Sequence, residues 1–221
     1  MPLSEPATPT GHDWYFDFIS PFSYIQWMRV RRDHPALDLR PRPVLFAGLL
    51  KHWGQLGPAE LPTKRRHTYR LALWQAQELQ IPLQFPPAHP FNPLPALRLA
   101  LAADDLDRAV DLLFRHLWEH GRAGDSAESL TTVAHEFGID DVPAALARED
   151  VKRRLADHGA EAVARGVFGV PTLVIADQLF WGNDATTLAL QFLDNPTLFE
   201  TPDMRRLDAL PIAQQRPGAK A

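Results

Sequence analysis

The distribution of hydrophobic and polar positions predicts a sheet built from both ends of the chain. Residues 14–19 form an aromatic and β-branched run that predicts a buried strand, interrupted by one acid. A helix should follow at once, because Ser20 is a good N-cap and Pro21 suits the first helical position. In the next extended segment, Pro41 and Pro43 fit only an edge position or the end of a strand. The chain therefore opens β-α-β.

Helical patterns fill the middle of the chain, and strand patterns return near its end. Helices are predicted over 63–79, 96–103, 106–120, 126–137 and 143–164, the last with a break near Gly159. Two short β-branched or aromatic runs, 172–176 and 179–181, predict a hairpin, and 184–193 predicts a final helix. This order is typical of an α/β thioredoxin-like domain with a large all-helical insertion. We assign the chain as follows: 12–60 and 166–200 to the thioredoxin-like domain, 61–165 to the insertion, and 1–11 and 201–221 to flexible tails.

Composition narrows the classes of function that remain. The chain has 221 residues, of which 45% are apolar and 23% charged, and a formal net charge of -4. It can bury a sizeable core, but it offers no excess positive field for a nucleic acid. Its longest uncharged apolar run, 44–50, is far shorter than the roughly 18 residues of a membrane helix. We expect a soluble cytoplasmic protein that binds neither nucleic acid nor membrane. The absence of cysteine excludes disulfides and thiolates of its own.

The junction between the first strand and the first helix is a candidate thiolate-binding site. In thioredoxin-like domains this place carries C-x-x-C, because unpaired N–H groups and the helix dipole lower a thiol pKa there. Here it reads Ser20-Pro21-Phe22-Ser23, so any sulfur must arrive on a ligand. The Ser20 hydroxyl could donate to that sulfur and hold it as the anion. The alternative is that Ser20 only caps the helix.

Three further segments carry groups that suit a peptide-like ligand. Val170 and Pro171 stand directly before a strand, where a cis-proline in thioredoxin-like folds leaves the preceding backbone N–H and C=O free to pair. Asp184 could bind an amino group beside Asn183, although both residues also suit an ordinary helix start. Lys64 is the candidate partner for an anion in a basic cluster at a helix start, which a solvated face would also explain.

One histidine pattern resembles a zinc site. His116, Glu119 and His120 spell H-x-x-E-H, in which two histidines four residues apart share a helix face. The apolar stripe predicted for this helix leaves the histidines to one side and Glu119 opposite. We therefore expect the three side chains to face solvent, and we expect no metal.

Four segments taken together resemble a known family. They are 16–24 (FDFISPFSY), 42–51 (RPVLFAGLLK), 166–172 (GVFGVPT) and 179–184 (LFWGND). In this order they resemble the 2-hydroxychromene-2-carboxylate isomerase family, which is related to the kappa-class glutathione transferases and shares their DsbA-like architecture. The resemblance runs from about residue 13 to 195. It implies a DsbA-like fold and a glutathione-dependent enzyme.

The resemblance also implies which residues hold glutathione. It assigns the thiolate to Ser20, the candidate catalytic residue. It assigns the rest of the tripeptide to other segments: Val170 and Pro171 for the cysteinyl backbone, Asn183 and Asp184 for the γ-glutamyl end, and Lys64 for the glycyl carboxylate. Kappa-class enzymes often have an asparagine contact near the position of Gly54, where this chain has Gln55.

The implied reaction converts 2-hydroxychromene-2-carboxylate to trans-o-hydroxybenzylidenepyruvate in aromatic catabolism of the naphthalene type, by reversible covalent catalysis through the cofactor's sulfur. The candidate wall around this small aromatic carboxylate comprises Phe22, Trp53 and Trp181. Lys51 or His52 is the candidate partner of its carboxylate, although packing or surface roles would also explain these residues. We expect a homodimer. Two alternatives stay open: a kappa-like glutathione transferase or peroxidase, and a non-catalytic thioredoxin-fold binding domain.

Overall fold

The chain folds around a four-stranded mixed sheet, in a computed structural model that describes residues 11–214. The strands are β1 (His12–Phe16), β2 (Leu39–Pro43), β3 (Thr172–Ile175) and β4 (Gln178–Trp181), in the spatial order β2-β1-β3-β4. β1 pairs parallel with β2 and antiparallel with β3, so that Trp14 lies between Pro41 and Leu173. β3 pairs antiparallel with β4. Both ends of the described chain thus build one sheet.

Helices surround the sheet and fill the segment between β2 and β3. Within residues 11–214 they are α1 (Pro21–Asp33), α2 (Phe46–Trp53), α3 (Pro62–Glu78), α4 (Leu94–Ala102), α5 (Leu106–Phe114), α6 (Ala127–His135), α7 (Val142–Ala147), α8 (Glu149–Ala164), α9 (Thr186–Asp194) and α10 (Pro202–Asp208). The predicted α/β fold with a helical insertion is confirmed, while the domain boundaries stay a prediction. In this described part, every helix is too short or too polar to cross a membrane.

The larger of the two buried hydrophobic clusters within residues 11–214 joins the sheet to the inserted helices. The rings of Trp14 and Phe16 on β1 stack with centroids 4.5 Å apart. Phe114 on α5 packs against this strand, with its ring 5.5 Å from Phe16 and 4.7 Å from Phe18. All four rings are fully buried, and each aromatic side chain removes a large apolar area from water. This packing fixes the end of β1, from which the chain enters α1.

The segment after β1 differs from the prediction, because the strand ends at Phe16 instead of residue 19. The Asp17 carboxylate accepts hydrogen bonds from Ile19 N at 3.1 Å and from Phe46 N at 2.8 Å. The first bond turns the chain out of the sheet. The second satisfies a free N–H at the start of α2, a helix that the apolar run 44–50 does not predict.

Other boundaries also differ from their predictions. The break in 143–164 lies at Arg148, whose extended backbone (φ -54°, ψ 127°) separates α7 from α8, whereas Gly159 lies inside α8. Helix α9 begins at Thr186 and has Ala185 as its N-cap, so the predicted start at 184 is wrong. Helix α10 forms within 201–221, all of which was expected to be a flexible tail. The outer parts of both predicted tails, 1–10 and 215–221, lie outside the described residues.

His116 is buried, which corrects the expectation that its H-x-x-E-H pattern faces solvent. α5 ends at Phe114 and continues as one π-helical turn over Arg115–Glu119. Because a π turn contains an additional residue, it changes the face on which the side chains lie. His116 is 5% exposed, and its Nε2 lies 2.8 Å from the carbonyl oxygen of Ala123. Residues 11–214 contain no group of three His, Cys, Asp or Glu side chains arranged for a metal ion.

Candidate functional site

Ser20 lies where the chain leaves the sheet and enters α1. It is the N-cap of this helix, Pro21 occupies the first turn, and Ser20 Oγ accepts from Ser23 N at 3.2 Å. The residue is 8% exposed. Its hydroxyl proton is donated to no residue within 11–214, so the same side chain can cap the helix and donate to a ligand. Phe22, from the predicted substrate wall, is half-buried one residue after Pro21.

Side chains of the inserted region hold the peptide groups that precede α1. Trp118 Nε1 donates to the carbonyl oxygen of Phe18 at 2.8 Å, and His89 Nε2 lies 2.8 Å from that of Ile19. A carbonyl can only accept, so His89 Nε2 carries a proton. Burial lowers the pKa of His89, which favours the neutral ring. His89 Nδ1 is therefore an acceptor 2.6 Å from the Tyr69 hydroxyl, which also donates to the carbonyl oxygen of His89 at 2.8 Å.

A buried carboxyl group lies directly beside this junction. Asp17 is fully buried, and burial raises its pKa to about 7, although N–H donors of the backbone act in the opposite direction. Within the described residues it forms no ion pair, and its main-chain oxygen accepts from Ser20 N at 3.1 Å. Both protonation states are therefore populated near neutral pH, three residues from the candidate catalytic serine.

The segment before β3 has the backbone expected of a ligand-binding strand entry. The peptide bond between Val170 and Pro171 is cis. Val170 is buried, and the carbonyl oxygen of Pro171 accepts from Gly182 N at 2.8 Å, which ties this segment to the residues after β4. This hydrogen bond brings the predicted ligand-binding segment 170–171 next to Gly182, the residue directly before the second predicted segment, 183–184.

Two tryptophans flank the same segment. Trp53 Nε1 donates to the carbonyl oxygen of Val167 at 2.9 Å. Trp181 packs edge-on against Phe168 with ring centroids 5.1 Å apart, yet the residue is 53% exposed. A side chain at Gly169 would overlap the Trp181 ring. The two tryptophans of the predicted wall therefore contact 167–169, and Trp181 presents apolar surface to solvent beside this segment.

Asn183 links the loop before α9 to helix α3. The residue is 4% exposed, and its Nδ2 donates to Gln75 Oε1 at 2.9 Å. Its Oδ1 is buried and has no hydrogen-bond partner in the described part of the chain. Buried acceptors are rarely left unpaired. Asn183 is not the N-cap predicted for α9, and its free oxygen instead suits a donor on a ligand. Asp184 is exposed next to it.

The remaining predicted residues lie at the surface. Lys64 is exposed in the first turn of α3. Gln75, which binds Asn183, follows eleven residues later, so the two positions are about 16 Å apart along the helix axis. Lys51 and His52 are exposed near the end of α2. Gln55, which stands where the related enzymes have asparagine, is exposed as well.

Comparisons with known proteins agree with this arrangement. Residues 13–194 match the family model of the DsbA-like thioredoxin domain. Over 197 residues the chain is 30% identical to 2-hydroxychromene-2-carboxylate isomerase of Sphingobium xenophagum, which covers 83% of this chain and 95% of that relative. The chain belongs to this DsbA-like isomerase family. The family prediction made from four sequence segments is therefore confirmed.

Two more distant matches extend the family relation. The chain is 24% identical over 183 residues to glutathione S-transferase kappa 1 of Rattus norvegicus, which covers 75% of this chain and 81% of that relative. A solved 2-hydroxychromene-2-carboxylate isomerase superimposes with a TM-score of 0.74 at 24% identity, covering 90% of this chain and 99% of that one. This likeness shows that the two chains share a fold.

Four residues that support the site are absent from the predictions: Asp17, Gln75, His89 and Trp118. Only Asp17 carried a local signal, as the single acid in an aromatic run. The other three reach the site from 70 to 108 positions away in the chain. No local pattern could have found them.

Proposed function

We propose that this protein is a glutathione-dependent isomerase that converts 2-hydroxychromene-2-carboxylate to trans-o-hydroxybenzylidenepyruvate in aromatic catabolism. The observation that carries the proposal is a serine N-cap at the redox position of a thioredoxin-like fold in a chain without cysteine. Such a site keeps the helix start that favours a thiolate but supplies no sulfur. The names of the curated relatives support both the substrate and glutathione.

The residues at this site fit glutathione. Bound glutathione would supply a thiolate able to add reversibly to an unsaturated substrate. Ser20 Oγ would donate to that sulfur, and the first N–H groups of α1 would favour its negative charge. The backbone of Val170, beside the cis-proline, would pair with the cysteinyl unit. Asn183 Oδ1, which has no partner in residues 11–214, would accept from the γ-glutamyl ammonium, with Asp184 contributing the opposite charge.

The length of the site also supports a tripeptide. A fully extended tripeptide spans about 11 Å, which is shorter than the distance of about 16 Å along α3 between Lys64 and Gln75. The long flexible side chain of Lys64 supplies the difference and would pair with the glycyl carboxylate. The exposed face of Trp181, together with Trp53 and Phe22, would contact the aromatic rings of the substrate, with Lys51 or His52 near its carboxylate.

A second candidate function is a kappa-like glutathione transferase on the same site. It is favoured by the kappa-class relative and by the 53% exposure of Trp181, which leaves room for different electrophiles. Conjugation of 1-chloro-2,4-dinitrobenzene that depends on Ser20, without isomerisation of the hydroxychromene carboxylate, would favour this candidate. Glutathione affinity weaker than millimolar would favour a non-catalytic binding domain.

The decisive experiment compares two serine substitutions. Ser20→Ala should lower isomerase turnover by about 10²-fold, the order expected for the loss of one donor to a developing or bound anion. Ser126→Ala is the matched control, because Ser126 caps α6 through the same type of hydrogen bond, from Ser129 N at 3.2 Å. The control loses a helix cap but no ligand contact. Equal turnover in Ser20→Ala and the control would contradict the proposal.

Two further properties are part of the proposal. We propose that the protein acts in the cytoplasm and that it forms a homodimer. Light scattering after size-exclusion chromatography measures the mass of the particle directly. A mass of 24.9 kDa, that of one chain, would contradict the homodimer.

A further inference from the structure

A groove between three helices lies apart from the residues assigned to glutathione. It has a volume of about 520 Å³ and is bounded by α2 with the residue before it, by α4 and by α8. Its walls are apolar, as at Leu49 of α2, Leu94 of α4 and Leu155 of α8, and its lining contains no acidic side chain. This volume is in the range of small-molecule sites. None of the residues assigned to the glutathione site lines the groove.

Two glycines give the groove its width. Gly48 lies inside α2 and Gly159 inside α8, where glycine is a poorer helix former than alanine. A Cβ atom built on either residue would meet no other atom within 4 Å. Close packing of the helices therefore does not require glycine at these positions. Because these two residues have no Cβ atom, the space beside them stays open and forms part of the groove.

Arg98 brings a cation into this apolar setting, and its charge acts on the Glu149 carboxylate from beyond salt-bridge distance. Its Nε is buried without a hydrogen-bond partner, and the side chain forms no salt bridge to any residue from 11 to 214. Lys152 is the second cation of the lining, and it pairs at 2.6 Å with the exposed Glu149, which lies outside the lining. An arginine fork matches a carboxylate by two parallel hydrogen bonds. The groove therefore lacks one component, an anion with an apolar body.

We propose that this groove binds a small apolar carboxylate. Its carboxylate pairs with Arg98, and its hydrocarbon body lies over Gly48 and Gly159, where it covers the apolar walls. The positive lining without an acid selects the anion, and the walls select the hydrocarbon. The proposal does not rest on the isomerase function. The lining shares no residue with the glutathione site, and His52, the residue that it shares with the proposed substrate site, takes no part in the argument.

The direct test is a titration of the full chain followed by ¹⁵N NMR. The probes are 2-naphthoate, octanoate and the neutral 2-naphthamide. At least one of the two carboxylates should shift the backbone N–H signals of Gly48 and Gly159 in a saturable manner, whereas neutral 2-naphthamide should not shift them. A response to naphthoate alone identifies a flat aromatic body, and a response to octanoate identifies an alkyl chain. The proposal is overturned if neither carboxylate shifts these signals, or if shifts are confined to residues around Ser20 and Val170.

Variants separate recognition of the charge from filling of the groove. Arg98→Gln should weaken carboxylate binding about 10- to 100-fold, the loss expected for hydrogen bonds to a charged group. Arg153→Gln is the matched control, because Arg153 is exposed on α8 outside the lining. Gly159→Leu should block binding and preserve the fold. The control Ala47→Leu, on the exposed side of α2, should preserve both the binding and the fold. Should Gly159→Leu unfold, Arg98→Gln alone decides.

Two results with these variants would overturn the proposal. The first is an Arg98→Gln variant that binds the carboxylate as tightly as the unmodified chain. The second is a dependence of the Gly48 and Gly159 signals on protein concentration and not on ligand, since this would identify the groove as a contact between two copies of the chain.

Discussion

The buried carboxyl group of Asp17 should make the stability of the protein fall between weakly acidic and weakly alkaline pH. Its pKa is about 7 in the folded protein, against the usual 3.8. Between these values the folded state binds the proton more tightly than the unfolded state, so the stabilisation is complete below pH 3.8 and is lost as the pH rises through 7. A difference of about 3 in pKa corresponds to about 4 kcal/mol.

Urea unfolding at pH 4.5, 6, 7 and 8.5 measures this effect in the wild-type chain and in Asp17→Asn. One part of the difference in free energy of unfolding between the variant and wild type does not depend on pH, because an amide has one oxygen and cannot replace both carboxylate oxygens that accept from Ile19 N and Phe46 N. Relative to wild type, however, the variant's free energy of unfolding should rise by about 3 kcal/mol between pH 4.5 and 8.5, since it has no proton to lose and this range begins above the unfolded pKa. Asp208→Asn, on the exposed α10, controls for the change in net charge. A difference between Asp17→Asn and wild type that stays constant with pH would refute the reasoning.

Two further substitutions test the packing around the site. Phe114→Ala should lower the free energy of unfolding by about 3 to 5 kcal/mol, because the fully buried ring joins α5 to β1; a loss below about 1 kcal/mol in urea unfolding would contradict this packing. Gly169→Ala should displace the Trp181 ring, shift the intrinsic fluorescence and weaken glutathione binding measured by calorimetry. An unchanged spectrum and affinity would show that the ring is not held there.

Features with a local cause were predictable from the sequence, and features with a distant cause were not. Ser20 and Pro21 start a helix through hydrogen bonding and φ preference that act within a few residues, and Val170–Pro171 stands before a strand for similarly local reasons. Helix α2, in contrast, depends on a hydrogen bond from Phe46 N to a carboxylate 29 positions earlier. The apolar run 44–50, which covers only the first five residues of α2, has no polar position that would mark a helical period.

The two errors within helices have specific physical causes. His116 was placed outside the apolar stripe by counting 3.6 residues per turn, and the π-helical turn over Arg115–Glu119 breaks that count. Gly159 was taken as a break because glycine disfavours helices, but its position beside an open groove imposes no conflict with α8. Periodicity therefore located the inserted helices α3 to α8 and failed where one turn has an irregular geometry.

The prolines of β2 prevent a further strand from pairing with that edge of the sheet. Val44 N donates to Phe16 O, and N–H directions alternate along a strand, so positions 39, 41 and 43 point away from β1. Pro41 and Pro43 have no N–H, and the N–H of Leu39 is already bonded to Leu37 O at 3.0 Å. An incoming strand would find no donor along this border. The chain thus protects itself against aggregation through sheet growth on this side, without a bulge or a charged residue pointing inward.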